Sequence, residues 1–511
     1  MFPARALSMP DVSSTQPNSA SSIRNALLFC RANRLAVILL SFLILIPCFW
    51  HRQIEAGDLA SHTYNAWLAQ LVSRDQAPGV YAVTRSDNVL FDLAALHLGN
   101  ILGLHAAEKI IVSLGVLIFF WGVFSLLFAI SSRPPWFLTP CIAILTYGYS
   151  FSMGFMNYWL SIGLACCVVA ILWRPGGANL LSALPVAFLT LLAHPIGFLW
   201  MLATLAYIYL RRWIPGRWRI VLPLLAIAMI MGVHFYIANH SAFDASWRDD
   251  SLFMRNGSDQ LILYGDRYVF LSYAALAWGI ACFLADAISR LRKRELVCIS
   301  FVLPLELYVI AFCATSLLPE NLRSTLYAGW IGLLVSRITT ISAILGLAVF
   351  ACLRPRKWMF AGFVAIAAVF FGFLFHDTGT LNRIEANASR VIAGLPQGAH
   401  VIPYLNAPDD WRVEFIYHVV ERACIGHCFS YSNYEPASGQ FRLRVRPGSP
   451  IVTSSSDDAE SMASGDYDVK PSDPPLIGIY QCDDNDFTKL CAAPLQAGES
   501  TQTPTLDSGE N

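Results

Sequence analysis

The sequence predicts an α-helical polytopic membrane protein with about eleven transmembrane helices. It adds an amphipathic helix in the outer loop after the first span and a small extracytoplasmic α/β domain at the carboxyl end. Three observations predict this. Of the 511 residues, 56% are hydrophobic and 14% charged, where soluble domains carry about 25% charge. Apolar runs of about 16–22 residues recur, long enough to cross a bilayer as helices. Lys and Arg gather in alternate loops, as cytoplasmic loops do. The 35 basic and 35 acidic residues cancel. No basic surface is left over for nucleic acid, and membrane lipid is the expected partner.

Residues 1–22 are rich in Ser, Pro and Ala without a period, which predicts a disordered cytoplasmic tail. Arg24, Arg31 and Arg34 then precede the first apolar run, Leu35 to Trp50. That run lacks a small-residue cleavage site and many spans follow, so it reads as an anchor, not a removed signal. Further spans are expected near 109–130, 136–152, 156–173, 179–193, 196–210, 218–238, 268–289, 296–318, 337–353 and 358–376. Arg133, Arg174, Arg211, Arg212, Arg217, Arg219, Arg290 to Arg294 and Arg354 to Lys357 mark one side. The turns at 152–156 and 193–196 carry no Lys or Arg. The positive-inside rule then places the protein in the inner or plasma membrane, amino terminus cytoplasmic and carboxyl terminus outside. The transmembrane domain is 23–376, with 51–108 as first outer loop; 319–337 lies at the outer surface.

The carboxyl part, 377–511, is more polar. A helix is expected at 381–393, a strand at 400–405, an amphipathic helix at 410–423 and strands at 441–445 and 476–480. The stretches 448–475 and 495–511 are Ser-, Asp-, Pro- and Gly-rich and read as flexible. Cys424, Cys428, Cys482 and Cys491 fall in this exported part, where thiols oxidise. Four cysteines allow three pairings. Nearness in sequence favours Cys424 with Cys428 and Cys482 with Cys491, Gly426 allowing a turn between the first two.

In the first outer loop, a helix over 59–73 has two unlike sides. Tyr64, Trp67, Leu68 and Leu71 form an apolar stripe, while Asp58, His62 and Asn65 fall opposite. Such a helix can lie on the bilayer surface and aim a carboxylate, an imidazole and an amide into a cavity. Asp58 after Gly57 is also a good N-cap. The other outer polar groups are Arg85, Asp87, Asn88, Asp92, His97, His105, Asn157, His194, Arg323 and Arg337. Arg323 and Arg337 flank an apolar segment and could hold a lipid phosphate or simply snorkel to headgroups. His194 before Pro195 could donate to a phosphate or satisfy a helix end. Glu306, inside a span, calls for a charged partner. No phosphate loop, zinc-protease sequence or nucleophile elbow occurs. No ligand spacing among the histidines points to a metal, Asp58 and His62 excepted.

The run Gly57-Asp58-Leu59-Ala60-Ser61-His62 after one span, and the paired short spans through Tyr147-Gly148-Tyr149-Ser150-Phe151-Ser152-Met153-Gly154-Phe155-Met156-Asn157-Tyr158, resemble the GT-C superfamily of membrane glycosyltransferases. The exported carboxyl domain is similar too. The layout is like that of bacterial enzymes related to protein mannosyltransferases and arabinosyltransferases. The resemblance implies a polyprenyl-phosphate sugar as donor and a glycan, lipid or protein acceptor, with Asp58 as general base. It makes His62 the orienter of that base or a donor to substrate. Asn65, Asn88, Asp92, Asn157 and His194 would bind substrate, and Arg323 or Arg337 the departing phosphate. No Asp-Glu pair of the mannosyltransferase kind follows the first span; sugar, acceptor and any divalent metal stay open. Two other classes remain: a transporter of lipid-linked sugars and a non-catalytic assembly protein.

Overall fold

The computed structural model describes residues 31–173, 178–293, 301–325, 329–413, 416, 418–483 and 485–498. The tail expected at 1–22 and the end of the flexible stretch beyond 498 lie outside the described residues. So do Arg174, Arg294 and the start of the span expected at 296–318.

The chain is mostly helical. In order come α1 (Arg34–Leu45), α2 (Leu59–Val72), α3 (Leu90–Leu102), α4 (Leu104–Ser131), α5 (Thr139–Thr146), α6 (Tyr149–Ser152), α7 (Met156–Leu172), α8 (Ala178–Ala193), α9 (Pro195–Trp213) and α10 (Val221–Asn239). Then follow α11 (Asp266–Arg292), α12 (Val302–Leu317), α13 (Leu334–Ala351) and α14 (Lys357–Ala393). Among the described residues, five helical stretches are long and apolar enough to cross a membrane: Leu104–Ser131, Gly216–Asn239, Asp266–Arg292, Leu334–Ala351 and Lys357–Ala393. Shorter apolar helices accompany them, α1, α3, α7 and α12 included. The outward sides of α10 and α11 present Leu224, Leu225, Met229, Phe270 and Leu284 to the surroundings, as lipid-facing helices do. Glu306 meets Arg211 through two hydrogen bonds, 2.6 and 3.1 Å, and Tyr207 at 2.9 Å. The charge its span requires is supplied by α9.

Several expectations change. The stretch 136–152 is not one continuous helix but a short 3-10 turn, then α5 and α6. Gly148 makes the break: a Cβ there would stand 2.8 Å from the Gln260 carbonyl, and the neighbouring Ser150 amide donates to the Gln260 side chain. The helix expected at 381–393 is the continuation of the last span, because α14 runs unbroken over 37 residues. Of the helix expected at 410–423, residues 410–413 are not helical, and α15 covers His418–Cys424. The surface segment 319–337 folds as strands β3 (Asn321–Ser324) and β4 (Gly329–Ile331), paired antiparallel beside β2 (Phe243–Ser246).

The helix α2 is the largest correction. It does not lie on a surface: eleven of its fourteen residues are buried, because the carboxyl part covers its polar side. There, β5 (His400–Tyr404) is flanked in parallel by β6 (Phe429–Ser430) and β8 (Leu476–Gln481), and β9 (Leu490–Pro494) closes the edge antiparallel. The Ser430 amide donates to the Tyr64 hydroxyl at 2.9 Å, and Trp67 stacks on Phe429. A two-stranded ladder, β1 (Val80–Ala82) with β7 (Leu443–Val445), adds a second tie. The stretch 448–475, expected to be flexible, contains α17 (Ser456–Ser464), whose Ala459 and Met462 are buried. It follows α16 (Tyr434–Ser438). Cys424 is bonded to Cys428 and Cys482 to Cys491.

One arginine joins the two parts. The buried Arg422 donates to Glu385 on α14, to Glu108 on α4 at 3.0 Å, to Glu55 at 2.9 Å and to the Ile54 carbonyl at 3.0 Å. Three carboxylates on one guanidinium leave a surplus of negative charge. Burial, and then Glu385, hold the Glu55 carboxyl well above the usual carboxylate range.

Candidate functional site

The turn between α6 and α7 fixes the head of α2. Gly154 adopts a left-handed φ of +79°, and Cβ atoms at Gly154 or Gly57 would collide with the opposing backbone at 2.2–2.4 Å. That close approach lets the Asp58 amide donate to the Met153 carbonyl at 3.2 Å. Asp58 therefore begins α2 on a rigid support.

Its side chain does not cap the helix; no N–H of the first turn reaches it. The carboxylate faces the carboxyl part instead, its Oδ1 3.3 Å from His418 Nε2. The other ring nitrogen of His418 stands 2.9 Å from Glu421. Burial would lower this imidazole, but Glu421 and Asp58 together outweigh it and raise its pKa to about 10. At neutral pH His418 is an imidazolium held between two carboxylates. Asp58 keeps 16% of its side chain open to the outside, against 1% for His418.

A second chain of contacts lies one turn along. His62 Nδ1 meets Asp92 at 2.6 Å. The other Asp92 oxygen accepts from Asn157 at 2.8 Å, and Asn157 in turn accepts from the Phe91 amide. Burial opposes the charged form of His62; Asp92 overrides it, with Glu435 and Asp58 adding, and the pKa reaches about 9. Ser61 donates to Glu435 at 3.3 Å, and Asn65 exchanges amide hydrogen bonds with Asn433. Burial pushes the Glu435 carboxyl up to about 8, against the pull of His62 and with the push of Asp92.

The guanidinium of Arg337 lies over the Phe155 ring, 4.3 Å from its centre, and donates to the Gly332 carbonyl at 2.7 Å. Among the described residues its buried Nε has no hydrogen-bond partner. It stands within electrostatic reach of Asp58. The Asp58 carboxylate and the Arg337 guanidinium thus share one corner.

The structure therefore brings Asp58, His62, Asn65, Asp92, Asn157 and Arg337 together. Asn88 joins through its backbone carbonyl, which accepts from Asn157 at 3.3 Å. His194 is occupied at a helix end, its Nδ1 accepting from the Ile196 amide at 3.1 Å. Arg323 lies on β3, exposed and in register with Asp244 and Trp330, outside the cluster. Sequence reasoning missed His418, Glu421 and Glu435. The signal that could have found the first two is the spacing His418-x-x-Glu421-Arg422, three polar groups on one short helix of an otherwise ordinary domain. Among the described residues no three His, Cys, Asp or Glu side chains are set to hold a metal ion.

Comparison with known proteins finds no matching family model, no matching curated protein and no matching solved structure.

Proposed function

We propose that the chain is an integral membrane glycosyltransferase that moves a sugar from a polyprenyl-phosphate donor to an acceptor hydroxyl. One observation carries this reading: Asp58 heads a buried helix without capping it, and opens instead toward the corner that holds Arg337. The reading accepts the layout of about eleven spans, amino terminus cytoplasmic and residues 377–511 outside. The two disulfides agree with an exported carboxyl part.

In this mechanism Asp58 takes the proton of the acceptor hydroxyl as its oxygen bonds to the anomeric carbon. The bond from that carbon to the phosphate oxygen breaks, and the phosphate leaves with the electron pair. Arg337 meets the growing phosphate charge with its unused donor. Because Arg323 stands apart, Arg337 is the clamp. His418 aims Asp58, and Glu421 holds His418. The paired His62 and Asp92 shape the wall along which the acceptor lies.

The test is Asp58→Asn, which keeps the side-chain shape but accepts no proton at neutral pH. It should insert and fold like the parent and lose about 10²–10⁴-fold in transfer rate. Full activity in this variant would remove Asp58 as the base.

A further inference from the structure

The three glutamates on Arg422 are not engaged alike. Glu385 accepts from Arg422 at both carboxyl oxygens. Glu108 also accepts at both, 3.0 and 3.2 Å from one guanidinium nitrogen, and its Oε2 takes the Thr63 hydroxyl at 2.6 Å. Neither group has an oxygen left over for a proton. Glu55 gives Arg422 only Oε2, at 2.9 Å. Its Oε1 is buried, and no N–H or O–H among the described residues reaches it. Glu385 stands beside it, on the same Arg422 nitrogen.

The charges facing Glu55 do not cancel. From α4 come Glu108 and Lys109, from α14 Glu385 and from α15 Arg422. The segment before α11 supplies only the neutral Tyr264 hydroxyl. The next carboxylates are taken up elsewhere, Asp58 by His418 and Asp377 by Arg267 and Tyr268. Three carboxyls thus meet two cations, and one proton makes the balance. Burial and the neighbouring Glu385 favour that proton on Glu55.

We propose that Glu55 carries this proton in the docked protein, and that the proton is a latch whose loss releases α15 from α4 and α14. It leaves from Oε1 to water. A cavity with room for about one water adjoins the group, lined by Glu55, Gly57, Tyr264, Val413 and Arg422. Without the proton, like-charge repulsion in a buried site opposes docking. Because α15 also carries His418, its release draws that imidazole off Asp58. The latch stands without the transferase reading; only this consequence for Asp58 rests on it.

The sign follows from linkage. Glu55 keeps its proton when docked and has an ordinary pKa near 4.3 when released. Docking is therefore strongest at low pH and weakens as pH rises, by up to about tenfold per unit, until the docked group itself ionises.

The experiment measures hydrogen-exchange protection of the α15 amides in the full chain in lipid nanodiscs, from about pH 5 to 9, corrected for the intrinsic pH dependence of exchange. The variant is Glu55→Gln, whose neutral amide keeps an acceptor for Arg422 and offers Glu385 a donor. The parent should lose protection with rising pH about tenfold per unit more steeply than Glu55→Gln, since the variant lacks this one proton. What slope remains in the variant belongs to His418, His62 and Glu435. In infrared spectra at neutral pH the parent should show one protonated carboxyl that Glu55→Gln lacks. Equal slopes, or equal carboxyl bands, overturn the latch. So does a Glu55→Gln chain whose α15 is unprotected even at pH 5, because glutamine stands in for the protonated acid. No transfer assay enters, so the role of Asp58 is decided separately.

Discussion

At the scale of single residues, the site is a set of buried groups whose protonation is set by burial and by the charges beside them. His418 and His62 have pKa values raised to about 10 and about 9. The sign follows from linkage. A histidine whose folded pKa exceeds the unfolded value of about 6.5 stabilises the fold fully below that value. The contribution then fades as pH rises through the folded pKa. Glu435, raised to about 8, acts in the same direction, because its folded form keeps a proton that the unfolded chain releases. Thermal stability should therefore fall as pH rises from about 6.5 to 10. His418→Gln should flatten the upper part of that fall. A melting temperature constant across this range would contradict the charged state assigned to both histidines. None of this was legible in the sequence, since His418 lies 360 positions from Asp58 and only the fold joins them.

At the scale of elements, the periodicity of α2 was read correctly and its setting was not. The polar side formed by Asp58, His62 and Asn65 exists, but it meets protein, namely His418, Asp92 and Asn433, and the apolar side is covered too, Tyr64 by Ser430 and Trp67 by Phe429. Strands at β5, β7 and β8 were legible from apolar runs. The break at Gly148 was not, because only the Gln260 backbone shows why a side chain there is excluded. Nor was the unbroken α14, which continues past its apolar part through the buried Leu381, Ile384 and Ala388. The docking of α15 against α14 and α4 depends on Arg422. Arg422→Met strands Glu55, Glu108 and Glu385 in the interior, and breaking a buried ion pair in this way costs about 3–5 kcal/mol. Limited proteolysis should cut the carboxyl part of that variant much faster than the parent. Equal resistance would show that the apolar contacts alone hold the parts together.

At the scale of the whole molecule, hydropathy shows a membrane protein, and five helices among the described residues meet the length of a span. The bias of Arg and Lys is the ground for the proposed orientation. An export-dependent reporter placed after Arg292 should be silent, and one after Gly394 should be active; the reverse pattern would put Asp58 and its neighbours on the cytoplasmic side. The orientation matters to the proposed function, which has a lipid-linked donor and an exported acceptor meet on the outer face. The decisive assay follows release of polyprenyl phosphate from a labelled polyprenyl-phosphate sugar in vesicles, with parent and Asp58→Asn protein at equal amounts. The parent should release it in step with glycosylation of the acceptor, and the variant should still bind the donor yet release almost none. Equal release by both proteins, or none by the parent with any acceptor, would show that Asp58 is not the base of a glycosyl transfer.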